Sequence, residues 1–217
     1  MILGICGGTF DPVHYGHLRP ALEVMEALAP AEVAFIPNAC PPHRDTPGAS
    51  SQQRLRMLEA AVAGQSGFYV DRRELDREGT SWTVDTLASL REEYPGRSLC
   101  LMLGTDAFAG LPGWHRWRDL LSLAHLVVMQ RPGWTLPENR DLERLLGRYR
   151  AGDAGELQQQ PAGRIWLQNV TALDISATRI RALAAGGRDL RFLLPEGVRE
   201  IICNEGLYGD TTRPDEC

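Results

Sequence analysis

Two histidines, His14 and His17, flank Tyr15 and Gly16 directly after the run Gly7-Gly8-Thr9-Phe10-Asp11-Pro12. Two imidazoles beside a phosphate can donate hydrogen bonds to its oxygens and stabilise charge that develops during transfer. The glycine between them allows close approach. The bland alternative is a pair of exposed loop histidines. A second cluster, Ser176, Thr178, Arg179 and Arg181, crowds hydroxyls and cations into what reads as a helix start. Cations oppose the helix dipole there, and a bound anion would relieve that conflict. Both clusters point to phosphate chemistry.

The elements that must position these residues follow from the surrounding pattern. Residues 1–6 are apolar and bounded by turn residues, which predicts a short buried strand. After Pro12, Leu18, Ala21, Leu22, Met25 and Leu28 recur at helical spacing. Strand, glycine turn and helix in that order aim the free amides of the helix start into the crevice above a parallel sheet. Further strands are predicted at 32–36, 68–70, 98–103, 125–129 and 164–168. Helical patterns alternate with them, one opened by a capping box at 50–53 and one N-capped by Ser176. The expectation is an α/β fold, a Rossmann-like open parallel sheet with helices on both faces. It forms a single domain over 1–208, with 209–217 a disordered tail. Residues 71–79 read as a charged, mobile loop, 142–149 as a helix, 151–163 as a flexible insertion and 195–205 as a closing helix.

Composition narrows the chemistry. The 217 residues suit one large α/β domain, and the net charge of -5 argues against binding nucleic acid through a broad basic surface. All 23 basic residues are arginine. A phosphate-loop, Schiff-base or nucleophilic lysine is therefore impossible, and any polyphosphate falls to arginine, histidine, backbone amides and metal. The five cysteines are scattered without a C-x-x-C pair, as expected of reduced thiols in a cytoplasmic protein. Cys6 and Cys100 lie in apolar runs and read as core fillers. No signal peptide and no membrane-length apolar run is visible.

Several other residues carry two readings each. His43 and Arg44, in the proline-stiffened loop 38–45, can clasp a substrate phosphate or simply face solvent. Thr83, in Ser81-Trp82-Thr83-Val84-Asp85-Thr86, belongs to a helix start whose hydroxyls are caps or contacts to a small polar ligand. Asp106 follows the most clearly buried strand in Gly104-Thr105-Asp106; it holds ribose hydroxyls or acts as a plain N-cap. Trp114 and Trp117 pack the rim or offer a face to a flat ring.

No residue stands out as a covalent nucleophile, and neither a triad nor a metal-ligand cluster is visible. Such a site suits direct nucleotidyl transfer, in which an already ionised oxygen attacks the α-phosphate of a nucleoside triphosphate and pyrophosphate leaves. Alignment and charge stabilisation then suffice, with Mg²⁺ carried in on the triphosphate.

Gly7-Gly8-Thr9-Phe10-Asp11-Pro12-Val13-His14-Tyr15-Gly16-His17, taken with Ile175-Ser176-Ala177-Thr178-Arg179-Ile180-Arg181, resembles the H-x-G-H nucleotidyltransferase superfamily. Within it, P-P-H-R (41–44), S-W-T-V-D-T (81–86), G-T-D (104–106), L-P-G-W-H (111–115) and Q-R-P (130–132) are similar to the bacterial nicotinate-nucleotide adenylyltransferases. The resemblance runs from residue 2 to about 208. It implies transfer of AMP from ATP to nicotinate mononucleotide, with Mg²⁺ on the ATP phosphates. His14, His17 and Arg181 would be catalytic, and with Ser176 and Thr178 would meet those phosphates. Gly104 and Asp106 would hold the adenosine ribose, while Gly7, Gly8, Thr9 and Phe10 line the crevice with backbone. Thr83 and Trp114 would receive the nicotinate ring. Arg44, with His43, and Arg131 would lie near the mononucleotide phosphate. Ala177 departs from the family, which often has a second serine there. The alternatives are a phosphopantetheine adenylyltransferase and a non-catalytic nucleotide-binding regulator on the same fold. Neither nucleic acid nor membrane is an expected partner, and oligomeric state is open.

Overall fold

A computed structural model describes residues 1–29, 31–39, 47–131, 133 and 139–209. His43, Arg44 and the tail from 210 lie outside the described residues, as do Cys40 and Pro132. Six strands, β1 (Ile2–Gly8), β2 (Ala31–Pro37), β3 (Phe68–Val70), β4 (Leu99–Gly104), β5 (His125–Gln130) and β6 (Ile165–Asn169), form one parallel sheet in the order β3-β2-β1-β4-β5-β6. That is the doubly wound order, whose direction of winding reverses between β1 and β4. The helices are α1 (Tyr15–Ala27), α2 (Ser51–Val62), α3 (Thr83–Glu93), α4 (Thr105–Ala109), α5 (Leu120–Leu123), α6 (Arg140–Tyr149), α7 (Ala177–Ala185) and α8 (Glu196–Asn204). The elements expected with stated bounds are all present, with ends moved by two residues at most. No helix among the described residues is long and apolar enough to cross a membrane.

The residues gather into two compact units, each assembled from three stretches of chain. The first takes Met1–Gly7, Pro20–Ala34 and Ser81–Ala172; the second takes Gly8–Arg19, Phe35–Thr80 and the stretch from Leu173.

In the first unit, Leu3 pairs with Leu99, Ile5 with Leu101, Leu101 with Leu126, and Val127 with Trp166. Leu3, Leu99, Cys100, Leu126, Val127 and Val128 are fully buried. Near-continuous apolar strands are what a parallel sheet covered on both faces requires. Because Ile5 and Leu101 are in register, Gly7 and Gly104 leave the sheet at the same edge. Cys6 and Cys100 are core fillers as expected, and burial pushes both thiols up to about 12.

The stretch 151–163 was expected to be flexible but is packed. Leu157 is fully buried, the Ser98 hydroxyl donates to the Leu157 carbonyl at 2.7 Å, and the Leu99 amide donates to Pro161. Fully buried His125 accepts from the Arg164 amide at Nδ1, so its Nε2 carries the proton and donates to the Gln160 carbonyl. Arg91 adds its guanidinium, donating to the carbonyls of Leu123, Tyr94, Pro95, Arg97 and Pro161. Glycine, alanine and glutamine content suggested slack, but the backbone carbonyls that secure this stretch leave no trace in composition.

In the second unit, α2 begins with the expected capping box: Ser50 Oγ accepts from the Gln53 amide, and Gln53 Oε1 accepts from the Ser50 amide. Helix α2 packs against β3 and α8. The 71–79 loop is more buried than its charge suggested, with Asp71 paired to Arg73 and Glu74 buried.

Candidate active site

The second unit brings the two phosphate-seeking clusters together. His14 is 4 % exposed, and its ring stacks on that of His17 with centroids 3.8 Å apart. Gly16 is required here by close approach. A Cβ at position 16 would stand 2.9 Å from His14 Cε1 and Nδ1 and 3.0 Å from the carbonyl oxygen of Ile175. The start of α1 thus lies against the residue just before the Ser176 cap of α7.

Phe10 holds a left-handed backbone with φ 50°, which costs a non-glycine residue about 1–3 kcal/mol and persists only where its surroundings enforce it. Its buried ring meets His17 edge-on at 5.2 Å and tilts against Phe35 at 6.1 Å. The expected contribution of Phe10 was backbone alone; its ring also supports the His17 imidazole.

The amides at the start of α1 differ from expectation. Tyr15 N–H already donates to the Leu193 carbonyl, and the His17 and Leu18 amides donate to the His14 carbonyl. Fewer donors face an incoming anion than the strand–turn–helix pattern implied, because the His14 turn closes on itself. Helix α7 offers more. Ser176 Oγ accepts from the Arg179 amide at 3.2 Å, and the preceding amides of Ala177 and Thr178 have no intrahelical acceptor.

Arg181 is tethered at both ends of its fork. Nη1 donates to the Asp11 carbonyl oxygen at 2.7 Å and lies 3.7 Å from Asp11 Oδ2, while Nη2 reaches Thr178 Oγ1 at 3.4 Å. The side chain keeps 35 % of its surface exposed, so the remaining guanidinium donors stay accessible. Thr9 Oγ1 accepts from Asn38 Nδ2, and fully buried Arg54 donates to the carbonyls of Thr9 and Asn38 and to Ser51 Oγ. Burial holds the Arg54 pKa below its usual value, with the Asp11 charge opposing that shift.

Sequence reasoning overlooked Asp11, Asn38, Arg54 and Tyr208 as parts of this framework. For Arg54 a signal existed: it falls on the face that Leu55, Leu58 and Val62 give to α2, where an arginine must find partners. Asp11 stood unremarked inside the quoted motif. Tyr208 had no local signal.

The first unit holds the other candidates. Gly7 and Gly104 are open: among the described residues, a Cβ at either would meet nothing within 4 Å, room that a ligand could take up against the backbone. Asp106 is exposed in the first turn of α4, whose N-cap is Gly104 without a side-chain cap bond, so the plain N-cap reading of Asp106 is set aside. Thr83 is the first residue of α3, and Trp82 occupies the cap position without a side-chain cap bond. The Trp82 indole lies tilted on the His115 ring at 4.7 Å. Trp114 is half-buried at the end of the 3₁₀ turn Leu111–Gly113, and Arg118 covers the Trp117 ring at 4.6 Å. Arg116, between the two indoles, has φ 50° and pairs with Asp119. Arg131 is exposed at the end of β5.

A doubly wound parallel sheet with paired imidazoles at one helix start and an arginine at another defines a nucleotide-handling α/β protein. Residues 5–183 match the family model described as cytidylyltransferase-like. A protein of Halorhodospira halophila named "Probable nicotinate-nucleotide adenylyltransferase" is 52% identical over 209 residues, covering 95% of each chain. One of the same name from Aeromonas hydrophila is 50% identical over 206 residues, covering 95% of this chain and 96% of that one. The fold is also that of Plasmodium falciparum nicotinic acid mononucleotide adenylyltransferase complexed with NaAD, at TM-score 0.71 and 17% identity over 95% of this chain and 96% of that chain. The chain belongs to the cytidylyltransferase-like family, within its nicotinate-nucleotide adenylyltransferases.

Proposed function

We propose that the chain transfers AMP from ATP to nicotinate mononucleotide, giving deamido-NAD and pyrophosphate. The observation that carries the chemistry is the abutment of α1 and α7 at Gly16 and Ile175, which gathers the stacked imidazoles and the tethered Arg181. The relatives named above support the choice of acceptor. A phosphate oxygen of the mononucleotide attacks the α-phosphorus of ATP; a new P–O bond forms as the α–β anhydride breaks, and pyrophosphate leaves with the electron pair. The nucleophile is already ionised, so no general base is needed. His14, His17, Thr178, Arg181 and the Ser176-capped start of α7 hold the triphosphate and offset charge on the leaving oxygens.

The other roles follow residue by residue. Thr9 and Phe10 line the approach with Gly7 and Gly8. Gly104 and Asp106 serve the ribose, Thr83 and Trp114 the nicotinate ring, and Arg131 the mononucleotide phosphate; Arg44 and His43 share that last role. Among the described residues, no group of three His, Cys, Asp or Glu gathers to hold a metal ion. Mg²⁺ enters on the triphosphate and neutralises part of its charge. Cys6 and Cys100 are buried free thiols, in keeping with a cytoplasmic enzyme.

Pyrophosphate release with ATP–Mg²⁺ tests the reading, with nicotinate mononucleotide, nicotinamide mononucleotide or phosphopantetheine as acceptor. The expected result is strong preference for the nicotinate compound, and loss of about 10²–10³ in kcat for His17→Ala. Preference for phosphopantetheine would overturn the acceptor, and ATP binding without turnover on any acceptor would overturn the enzyme.

A further inference from the structure

Asp11 is buried, with 6 % of its surface exposed, and four donors from three stretches of chain converge on its carboxylate. Gly48 N–H donates to Oδ2 at 2.8 Å, Ala49 N–H to Oδ1 at 3.1 Å, and the Tyr208 hydroxyl to Oδ1 at 2.7 Å; Arg181 Nη1 stands 3.7 Å from Oδ2. The same Arg181 nitrogen donates to Asp11's own carbonyl at 2.7 Å. Tyr208 is held there against local preference. Its φ is 63°, a conformation that suits glycine, and its ring covers Gly48, where a Cβ would stand 3.0 Å from Cδ1 and Cε1. Glu205, three residues earlier, is bound by Gln53 and Arg56 of α2. One anchor therefore ties this late segment to α2 and the other to the loop that carries the histidines.

We propose that Tyr208 is a positioning residue for the transfer: its hydroxyl orients the Asp11 carboxylate, which in turn fixes the Arg181 guanidinium at the start of α7. Without the phenol, the Gly48 and Ala49 amides alone would oppose the pull of Arg181, and the carboxylate could tilt toward the guanidinium and draw it inward. With Oδ1 held by Tyr208 and Ala49, Oδ2 faces Arg181 at a distance that steadies the fork without taking up its donors. Burial and the Asp11 hydrogen bond both push the phenol above its ordinary range, so the hydroxyl remains a donor at any working pH. Arg54 is a second cation close to Asp11, but it is fully buried and its Nη1 and Nη2 donate to the Thr9 and Asn38 carbonyls and Ser51 Oγ. Arg181 is the one of the two with surface left for a phosphate.

The inference rests on the reading of Arg181 as a ligand of the ATP phosphates. Tyr208→Phe keeps the ring over Gly48 and removes only the hydroxyl. The expected result is a fall in kcat of about five- to tenfold, with the KM for nicotinate mononucleotide unchanged. In an Arg181→Lys background the same change is expected to cost nothing further, because the hydroxyl acts through the fork that lysine lacks. A merely structural hydroxyl would lower Tm and leave kcat intact, or would add its cost in full to that of Arg181→Lys; either result overturns the proposal. If the wild type releases no pyrophosphate, the functional reading fails, and the proposal is still decided by the ¹⁵Nε–H resonance of Arg181 in the free protein. Movement of that signal toward the position of solvated arginine in Tyr208→Phe supports it, and an unchanged signal overturns it.

Discussion

A methyl group at position 16 would press on the His14 ring from one side and the Ile175 carbonyl from the other, at 2.9 and 3.0 Å. Backbone and a stacked, buried ring have little room to yield, so Gly16→Ala is expected to separate the two helix starts rather than unfold the protein. Misplacement of a catalytic group by about 1 Å can cost about 10²-fold, and kcat/KM for adenylyl transfer is expected to fall by that order while the circular dichroism spectrum is kept. Full turnover in that variant would show that the contact at Ile175 is dispensable. His14, His17 and Arg181 were legible in the sequence because motif and neighbourhood coincide: each lies within a few residues of the helix start that presents it. Asp11 was not singled out, because its partners are the amides of Gly48 and Ala49 and the hydroxyl of Tyr208. Nothing near Asp11 in the chain foretells them.

At the scale of elements, period and punctuation were enough to find every strand, since parallel strands buried on both faces must be apolar throughout. The same signals misjudged 151–163, whose anchors are carbonyls rather than side chains. Arg91 of α3 is central to that anchoring, with one guanidinium serving five carbonyls that otherwise lie at loop and helix ends. Arg91→Ala leaves those acceptors to water or to nothing, and is expected to destabilise the protein by about 2–3 kcal/mol. For a chain of this size that lowers Tm by about 5–10 °C. Arg91→Lys, with one compact ammonium in place of a planar fork, is expected to recover less than half of the loss. A thermal scan of the three proteins checks this, and equal midpoints would show that the fork is redundant.

For the molecule as a whole, buried His125 makes stability depend on pH. Desolvation holds its pKa below the ordinary value of 6.5, with Arg91 and Arg164 adding to the effect while the Gln160 carbonyl opposes it. The folded state therefore keeps the neutral ring where the unfolded chain takes up a proton. The contribution is complete above about pH 6.5 and is lost as pH falls toward the folded value. Tm is expected to drop between pH 7.5 and 5.5 more steeply in the wild type than in His125→Phe; parallel curves would exclude His125 as the source. The division of the chain into interleaved segments also bears on how the protein is made. The second unit draws on residues 8–19, 35–80 and the stretch from 173, and its Asp11–Tyr208 bond joins positions 197 apart. At about 5–20 residues per second, synthesis reaches Tyr208 about 10–40 s after Asp11. Throughout that interval the histidine loop is without its late partner, and the Asp11 carboxylate gains its full set of donors only once Tyr208 has been made.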